Sequence, residues 1–173
     1  MPSDYASIVI GVCGIGHGHC SREFEMATRL KEAGHRVVIL GFGTSTGFFR
    51  SKGFEVFDVW VPIIRGGKNG IKFSSVLRDN FKTCWYGTVK NLSVLMAMKK
   101  IGVDLFISDY EPVSAFFARI HRKPSVTVDQ QSKYRYFDFP VLDGLSQKEE
   151  RQRLSFFFPH VDKSFTGIIA WHP

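Results

Sequence analysis

Residues 13–22 read Cys-Gly-Ile-Gly-His-Gly-His-Cys-Ser-Arg. They follow Ser-Ile-Val-Ile-Gly-Val at positions 7–12, a short β-branched apolar run that suits a buried parallel strand. Gly14, Gly16 and Gly18 stand at alternate positions, where they let the backbone turn tightly and approach a ligand closely. His17, His19 and Arg22 add titratable groups and a fixed positive charge to the same turn. A helix is expected from Glu23 to Ala33, with Phe24, Ala27 and Leu30 on one face and Gly34 as its stop. Strand, glycine turn and helix in succession open an α/β fold.

The rest of the chain continues the alternation. Strands are expected at Arg36–Leu40, Phe54–Val59, Val103–Ser108, Pro124–Val128 and Lys163–Ala170. Between them come a short helix at Ser45–Lys52, a long helical stretch at Phe73–Lys100 and a helix from Pro112 to about His121. A glycine-rich and basic loop spans Pro62–Gly70, an aromatic loop spans 129–145, and Ser146–Phe158 reads as a helix. This pattern predicts a doubly wound, Rossmann-like parallel sheet in one domain covering residues 1–173. In such sheets ligands bind at the carboxyl ends of the strands near the switch in strand order. The glycine loop, the Asp109-Tyr110-Glu111-Pro112 turn and the Asp129-Gln130-Gln131 turn are therefore expected to converge.

Composition narrows the classes. A chain of 173 residues with 44% hydrophobic and 23% charged residues is ordinary for a globular protein. Its net charge of +7 suits a phosphorylated substrate or an anionic surface. The basic residues are scattered and carry no aromatic–basic RNA-recognition signature, so no nucleic-acid partner is expected. No apolar run reaches the roughly 18 residues that span a bilayer, and the N-terminus lacks the basic start and apolar stretch of a signal peptide. Cys13, Cys20 and Cys84 fit no disulfide framework, which points to reduced thiols and a cytoplasmic location.

Three phosphate-binding loops compete for the glycine turn. A P-loop needs a lysine that this turn lacks. A dinucleotide loop wants a third glycine where His19 stands, and an acid at the end of the second strand, where Gly34–Gly43 has none. The pattern Gly-x-Gly-x-Gly-His-x-x-Arg fits from Gly14 to Arg22. Cys13, His17, His19 and Cys20 match no zinc spacing, and no metal is expected. His35 reads as structural.

With this pattern the chain resembles the N-terminal, acceptor-side half of GT-B glycosyltransferases, in the branch related to the lipid II N-acetylglucosaminyltransferase. Leu30-Lys31-Glu32-Ala33-Gly34-His35-Arg36-Val37, Ile107-Ser108-Asp109-Tyr110-Glu111-Pro112 and Val128-Asp129-Gln130-Gln131 continue the likeness across essentially the whole chain. The resemblance implies transfer of a sugar from a nucleotide-sugar donor, UDP-linked by analogy, to a hydroxyl or lipid-linked acceptor without a metal. It also implies a donor-binding C-terminal domain, absent from this chain, or a complementary subunit in its place.

By position, the family's base falls on His19 and its orienting acid on Asp109. Histidine suits proton transfer near neutral pH, and a carboxylate can orient it. Asp109 itself or Glu111 is the alternative base, and both acids could instead cap the helix that starts at Pro112. Gly14, Gly16, Gly18, Arg22, Asp129 and Gln130 are the expected substrate contacts, with N–H groups from Gly16 to Cys20 facing a diphosphate. Phe48, Phe49 and Arg50, with the Arg65-Gly66-Gly67-Lys68 loop and Phe73, form a candidate rim for peripheral contact with the inner membrane face. A different class of reading is a non-catalytic, Rossmann-like module that holds a nucleotide or phosphate.

Overall fold

The structure is a computed structural model and describes residues 5–15, 17–63, 66–67, 70–71, 73–129, 147, 151–152, 154–155 and 163–165. Six parallel-paired strands form one sheet: β1 (Ser7–Val12), β2 (Arg36–Gly41), β3 (Glu55–Asp58), β6 (Leu105–Asp109), β7 (Ser125–Val128) and β8 (Lys163–Phe165), in the order β3-β2-β1-β6-β7-β8. Between β3 and β6 two short strands, β4 (Gly66–Gly67) and β5 (Gly70–Ile71), pair antiparallel on their own. The order reverses between β1 and β6, whose register pairs Val12 with Asp109 at their carboxyl ends. That reversal is the crevice where ligands of open α/β sheets bind.

The helices are α1 (His17–Glu32), α2 (Thr44–Ser51), α3 (Phe73–Asn80), α4 (Cys84–Ile101) and α5 (Pro112–His121). Alternation along the strands decides which helix lies on which face. Ile8, Ile10, Val12, Val37, Ile39 and Ile107 pack with Cys20 and Ala27 of α1 and Phe49 of α2. Val9, Val38, Leu40 and Phe106 pack with Val94 and Met98 of α4 and with Val113 and Phe117 of α5. All six residues of β1 are buried, as a central strand covered on both faces requires. The doubly wound α/β architecture expected from the sequence is the one observed.

Several boundaries differ from the sequence reading. Helix α1 starts at His17 rather than Glu23, so His19 lies on a helix instead of a loop. The stretch expected as one helix at 73–100 divides into α3 and α4, with Phe81–Thr83 as a turn. Asn80 explains the break: its amide accepts from Ile63 N at 2.7 Å and donates to Ile63 O at 2.8 Å, stapling the segment after β3 to the end of α3. Asn91 does the same for Trp60, with both bonds at 2.8 Å. The expected rim on α2 is also corrected. Phe49 is fully buried, and Phe24, Phe48, Phe49 and Phe54 form an edge-to-face cluster with neighbouring centroids 5.3–6.5 Å apart. Arg65, Lys68 and the side chain of Phe73 lie outside the described residues, as do most of the loop 129–145, most of 146–158 and residues 166–170.

Gly14 is required by the fold itself. A Cβ there would stand 1.8 Å from the carbonyl oxygen of Phe42, because the turn after β1 and the turn before α2 are pressed together. Thr44 completes the contact by donating to Gly14 O at 2.9 Å. Gly47 is exposed on α2, and a methyl group added there would meet nothing within 4 Å. Gly14→Ala should therefore destabilise the fold by about 2 kcal/mol or more in urea denaturation, since backbone cannot yield as a side chain can. Gly47→Ala should stabilise it by about 0.5–1 kcal/mol through helix propensity.

Candidate active site

The β6–α5 turn sets two acids to opposite tasks. Asp109 ends β6 on the same face as Ile107, toward α1. Tyr110 then takes a left-handed backbone conformation, φ 53°, which turns the chain so that Glu111 faces α5 instead. The Glu111 carboxylate accepts from Val113 N and Ser114 N, both at 2.7 Å, and so caps α5, with Pro112 in the first turn. Its backbone is held too, since Ser108 Oγ donates to Glu111 O at 2.6 Å. The cap occupies the space left by a missing side chain, because a Cβ on Gly11 would meet Glu111 Oε2 at 2.5 Å. Burial raises the Glu111 carboxyl to about 7, while the two backbone N–H groups pull the other way. Both carboxylate oxygens of Glu111 are spent on the helix cap, and the side chain is buried. Of the two tasks open to Glu111, helix capping is the one this geometry fits.

Asp109 is fully buried and sits at the centre of a charged cluster. His19 Nδ1 lies 2.7 Å from its Oδ2, and Arg22 Nη2 donates to its Oδ1. Residues 19, 22 and 23 are i, i+3 and i+4 on α1, so one helical stripe carries all three toward the end of β6. Arg22 Nε in turn donates to Glu23 Oε1 at 2.9 Å, and Glu23 is fully buried. An ionised carboxylate only accepts, so the ring nitrogen facing Asp109 is the one that carries the proton. His19 Nε2 is then left with its lone pair, and the ring is 19% exposed. A base needs one ring nitrogen held by an acid and the other free of that acid, and the neutral ring has this arrangement here.

The other expected site residues fall as follows. Gly14 is buried against the turn before α2. Gly18 is exposed in the first turn of α1, with nothing within 4 Å of a methyl placed on it. Asp129 is buried at the end of β7, at the same sheet edge. Gly16 and Gln130 lie outside the described residues, as does the side chain of His17. His35 accepts from Ala6 N at 3.2 Å, a structural task at the opposite end of β1. Cys13 and Cys20 are buried free thiols, and burial pushes Cys13 up to about 11. Among the described residues no group of three His, Cys, Asp or Glu side chains is arranged to hold a metal ion.

Sequence reasoning passed over two features. Glu23 reads as an ordinary polar position at the start of an amphipathic helix, and only the tertiary structure buries it. An open apolar groove of about 480 Å³ between α4 and α5 is lined by Trp60, Leu92, Leu95, Phe116, Phe117 and Ile120, with Pro112 also in its wall. Trp60 is seated there because Gly87 has no side chain, since a Cβ would lie 2.1 Å from the indole.

Glu23 carries a consequence for stability. Burial raises its carboxyl from 4.5 to about 7, Asp109 pushes it the same way, and Arg22 and His19 oppose them. The folded state thus holds this proton more tightly than the unfolded chain, so stability present below about pH 4.5 declines as pH rises through 7. The unfolding free energy should fall between pH 5 and 8, with a share on the order of 2 kcal/mol from this group. Glu23→Gln should remove that share, seen as a flatter profile of denaturation midpoint against pH.

The fold has close relatives in shape. The MurG structure from Acinetobacter baumannii superposes with a TM-score of 0.54 at 17% identity, covering 84% of this chain and 39% of that one. The glycosyltransferase SsfS6 from Streptomyces sp. SF2575 gives 0.57 at 10% identity, with 94% and 50% covered. The glycosyltransferase VinC, solved in complex with DTDP, gives 0.52 at 13% identity, with 92% and 45% covered. These are GT-B glycosyltransferases, and the chain spans half or less of their length. No curated protein matches the chain. The family model described as glycosyl transferase family 1 matches residues 6–166, and the chain belongs to that family.

Proposed function

We propose that this chain is the acceptor-side domain of a sugar transferase, completed by a donor-binding domain or partner subunit. The observation that carries the reading is the His19–Asp109 pair at the carboxyl ends of β1 and β6. In this reading the acceptor hydroxyl lies against His19 Nε2. As the acceptor oxygen bonds to the anomeric carbon, the bond from that carbon to the donor diphosphate breaks. The nucleotide diphosphate leaves with the electron pair, and the hydroxyl proton passes to His19. Asp109 holds the ring and stabilises the imidazolium that forms. Arg22 has two of its donors committed to Asp109 and Glu23, so its task here is to keep Asp109 ionised rather than to bind phosphate. Gly16, Gly18 and the N–H groups opening α1 are the proposed diphosphate contacts, with Asp129 and Gln130 as further proposed contacts. The donor is a nucleotide sugar, UDP-linked in this proposal, and no metal takes part.

The groove between α4 and α5 supports an acceptor with an apolar body, since aromatic and aliphatic side chains line it up to Pro112. A lipid-linked acceptor fits a second observation. Leu77, Phe81, Trp85 and Tyr86 are exposed on α3, the following turn and the start of α4, with Arg78 and Lys82 exposed beside them. No helix of the described residues is long and apolar enough to cross a membrane, so contact of this kind is peripheral.

The decisive assay measures sugar transfer from UDP-sugars by the chain together with its donor-binding half. His19→Ala should lower kcat by about 100-fold or more, and Asp109→Asn should cost at least about tenfold, with donor binding little changed. Unchanged turnover in His19→Ala rejects the proposed base. Nucleotide binding without any transfer favours the non-catalytic module instead. The double variant Phe81→Ser/Trp85→Ser should lose co-sedimentation with anionic vesicles while keeping turnover on a water-soluble acceptor.

A further inference from the structure

One buried carboxyl group has a task neither in the proposed transfer nor in a helix cap. Glu23 is fully buried, its Oε1 takes the Nε–H of Arg22 at 2.9 Å, and among the described residues its buried Oε2 has no hydrogen-bond partner. A carboxyl group in such a place is costly. Its neighbours on the same inner stripe of α1, Cys20 and Ala27, are apolar and fully buried, so packing alone would be served by an apolar side chain. The exception calls for a task.

We infer that Glu23 is a positioning residue for the His19–Asp109 pair, acting through the guanidinium of Arg22. The inference takes its chemical meaning from the transferase reading. Arg22 is gripped from two sides, by Glu23 at Nε and by Asp109 at Nη2. The same Nη2 lies 3.4 Å from His19 Nδ1. While Nδ1 carries the proton, that approach is between two donors and gives no bond. Glu23 fixes the plane of the guanidinium so that Nη2 spends its hydrogen on Asp109 Oδ1, which leaves Oδ2 to His19. One side chain thereby divides the two oxygens of Asp109 between a fixed cation and a titratable ring.

The charge balance follows from the same contacts. The groups acting on Glu23 are Arg22 and His19 from its own helix and Asp109 from the end of β6. The nearby thiols Cys13 and Cys20 are raised by burial and stay neutral. With Glu23 ionised, Arg22, Asp109 and Glu23 sum to one negative charge beside His19. With Glu23 protonated they sum to zero, and the imidazolium loses that support. Burial holds the Glu23 carboxyl near 7, so this change falls within the range where a histidine base works.

The test follows the His19 ring by NMR through a pH titration of the 173-residue chain, with His35 as internal control. Glu23→Gln keeps the shape and an acceptor for Arg22 while removing the charge. His19 should then titrate at lower pH, its acid dissociation constant rising about threefold to tenfold, while His35 stays in place. Glu23→Leu removes both the charge and the acceptor for Arg22, and an unmoved His19 in that folded chain overturns the inference. Should that variant fail to fold, the wild-type curve decides. His19 must respond at the pH where the Glu23 carboxyl carbon itself titrates in the same experiment, and a His19 curve that ignores that midpoint overturns the inference equally. Neither readout needs donor, acceptor or turnover. A chain that transfers no sugar therefore leaves the inference standing, and an unmoved His19 leaves the transferase reading standing.

Discussion

A buried carboxylate at the end of a central strand is the constraint around which this molecule is arranged. Asp109 has no exposure to water, and an uncompensated charge there would cost several kcal/mol. Among the described residues its charged partners come from the first turns of α1, where Arg22 and His19 both reach it. The helix must therefore begin early, at His17, directly after the glycine turn. The register that pairs Val12 with Asp109 brings that turn level with the acid, and Cys13 N donates to Asp109 O at 3.1 Å to hold the two chain segments together.

The neighbouring acid shows how much one backbone angle decides. Residues two apart on a strand share a face, so Asp109 and Glu111 would both point at α1 if β6 ran on. The left-handed conformation at Tyr110 breaks that rule and sends Glu111 to the opposite face, into the space that Gly11 leaves beside α5. One acid serves the crevice and the other serves the helix. The division keeps a second negative charge from crowding Asp109, and it rigidifies the start of α5, which forms one wall of the apolar groove.

Polar chemistry and apolar recognition thus meet at one sheet edge but belong to different faces. The cluster of His19, Asp109, Arg22 and Glu23 lies on the α1 side, while the groove lies between α4 and α5 on the other. Pro112 is the hinge between them, three residues beyond Asp109 and in the groove wall. The asparagine staples at Asn80 and Asn91 hold Ile63 and Trp60 in place, so the mouth of the groove is set by hydrogen bonds to backbone rather than by packing alone.

The alternation of β-branched runs with helical spacing determined the doubly wound sheet, because period two and period 3.6 are local properties of the chain. The Gly-x-Gly-x-Gly-His-x-x-Arg pattern determined that His19 and Arg22 stand beside the first strand, and the Ser-Asp-Tyr-Glu-Pro stretch placed Asp109 at the end of another. Only the tertiary structure decided what each side chain does there. Gly14 could be read as a ligand cradle until Phe42 was found pressed against it, and Arg22 as a phosphate contact until two acids were found holding it. Phe49 reads as available for a surface until the aromatic cluster encloses it, and Glu23 is buried only because α1 is laid on the sheet. The reason is the same in each case: spacing along the chain fixes which face of an element a residue occupies, whereas burial, pairing and charge balance depend on what the opposing element brings to meet it.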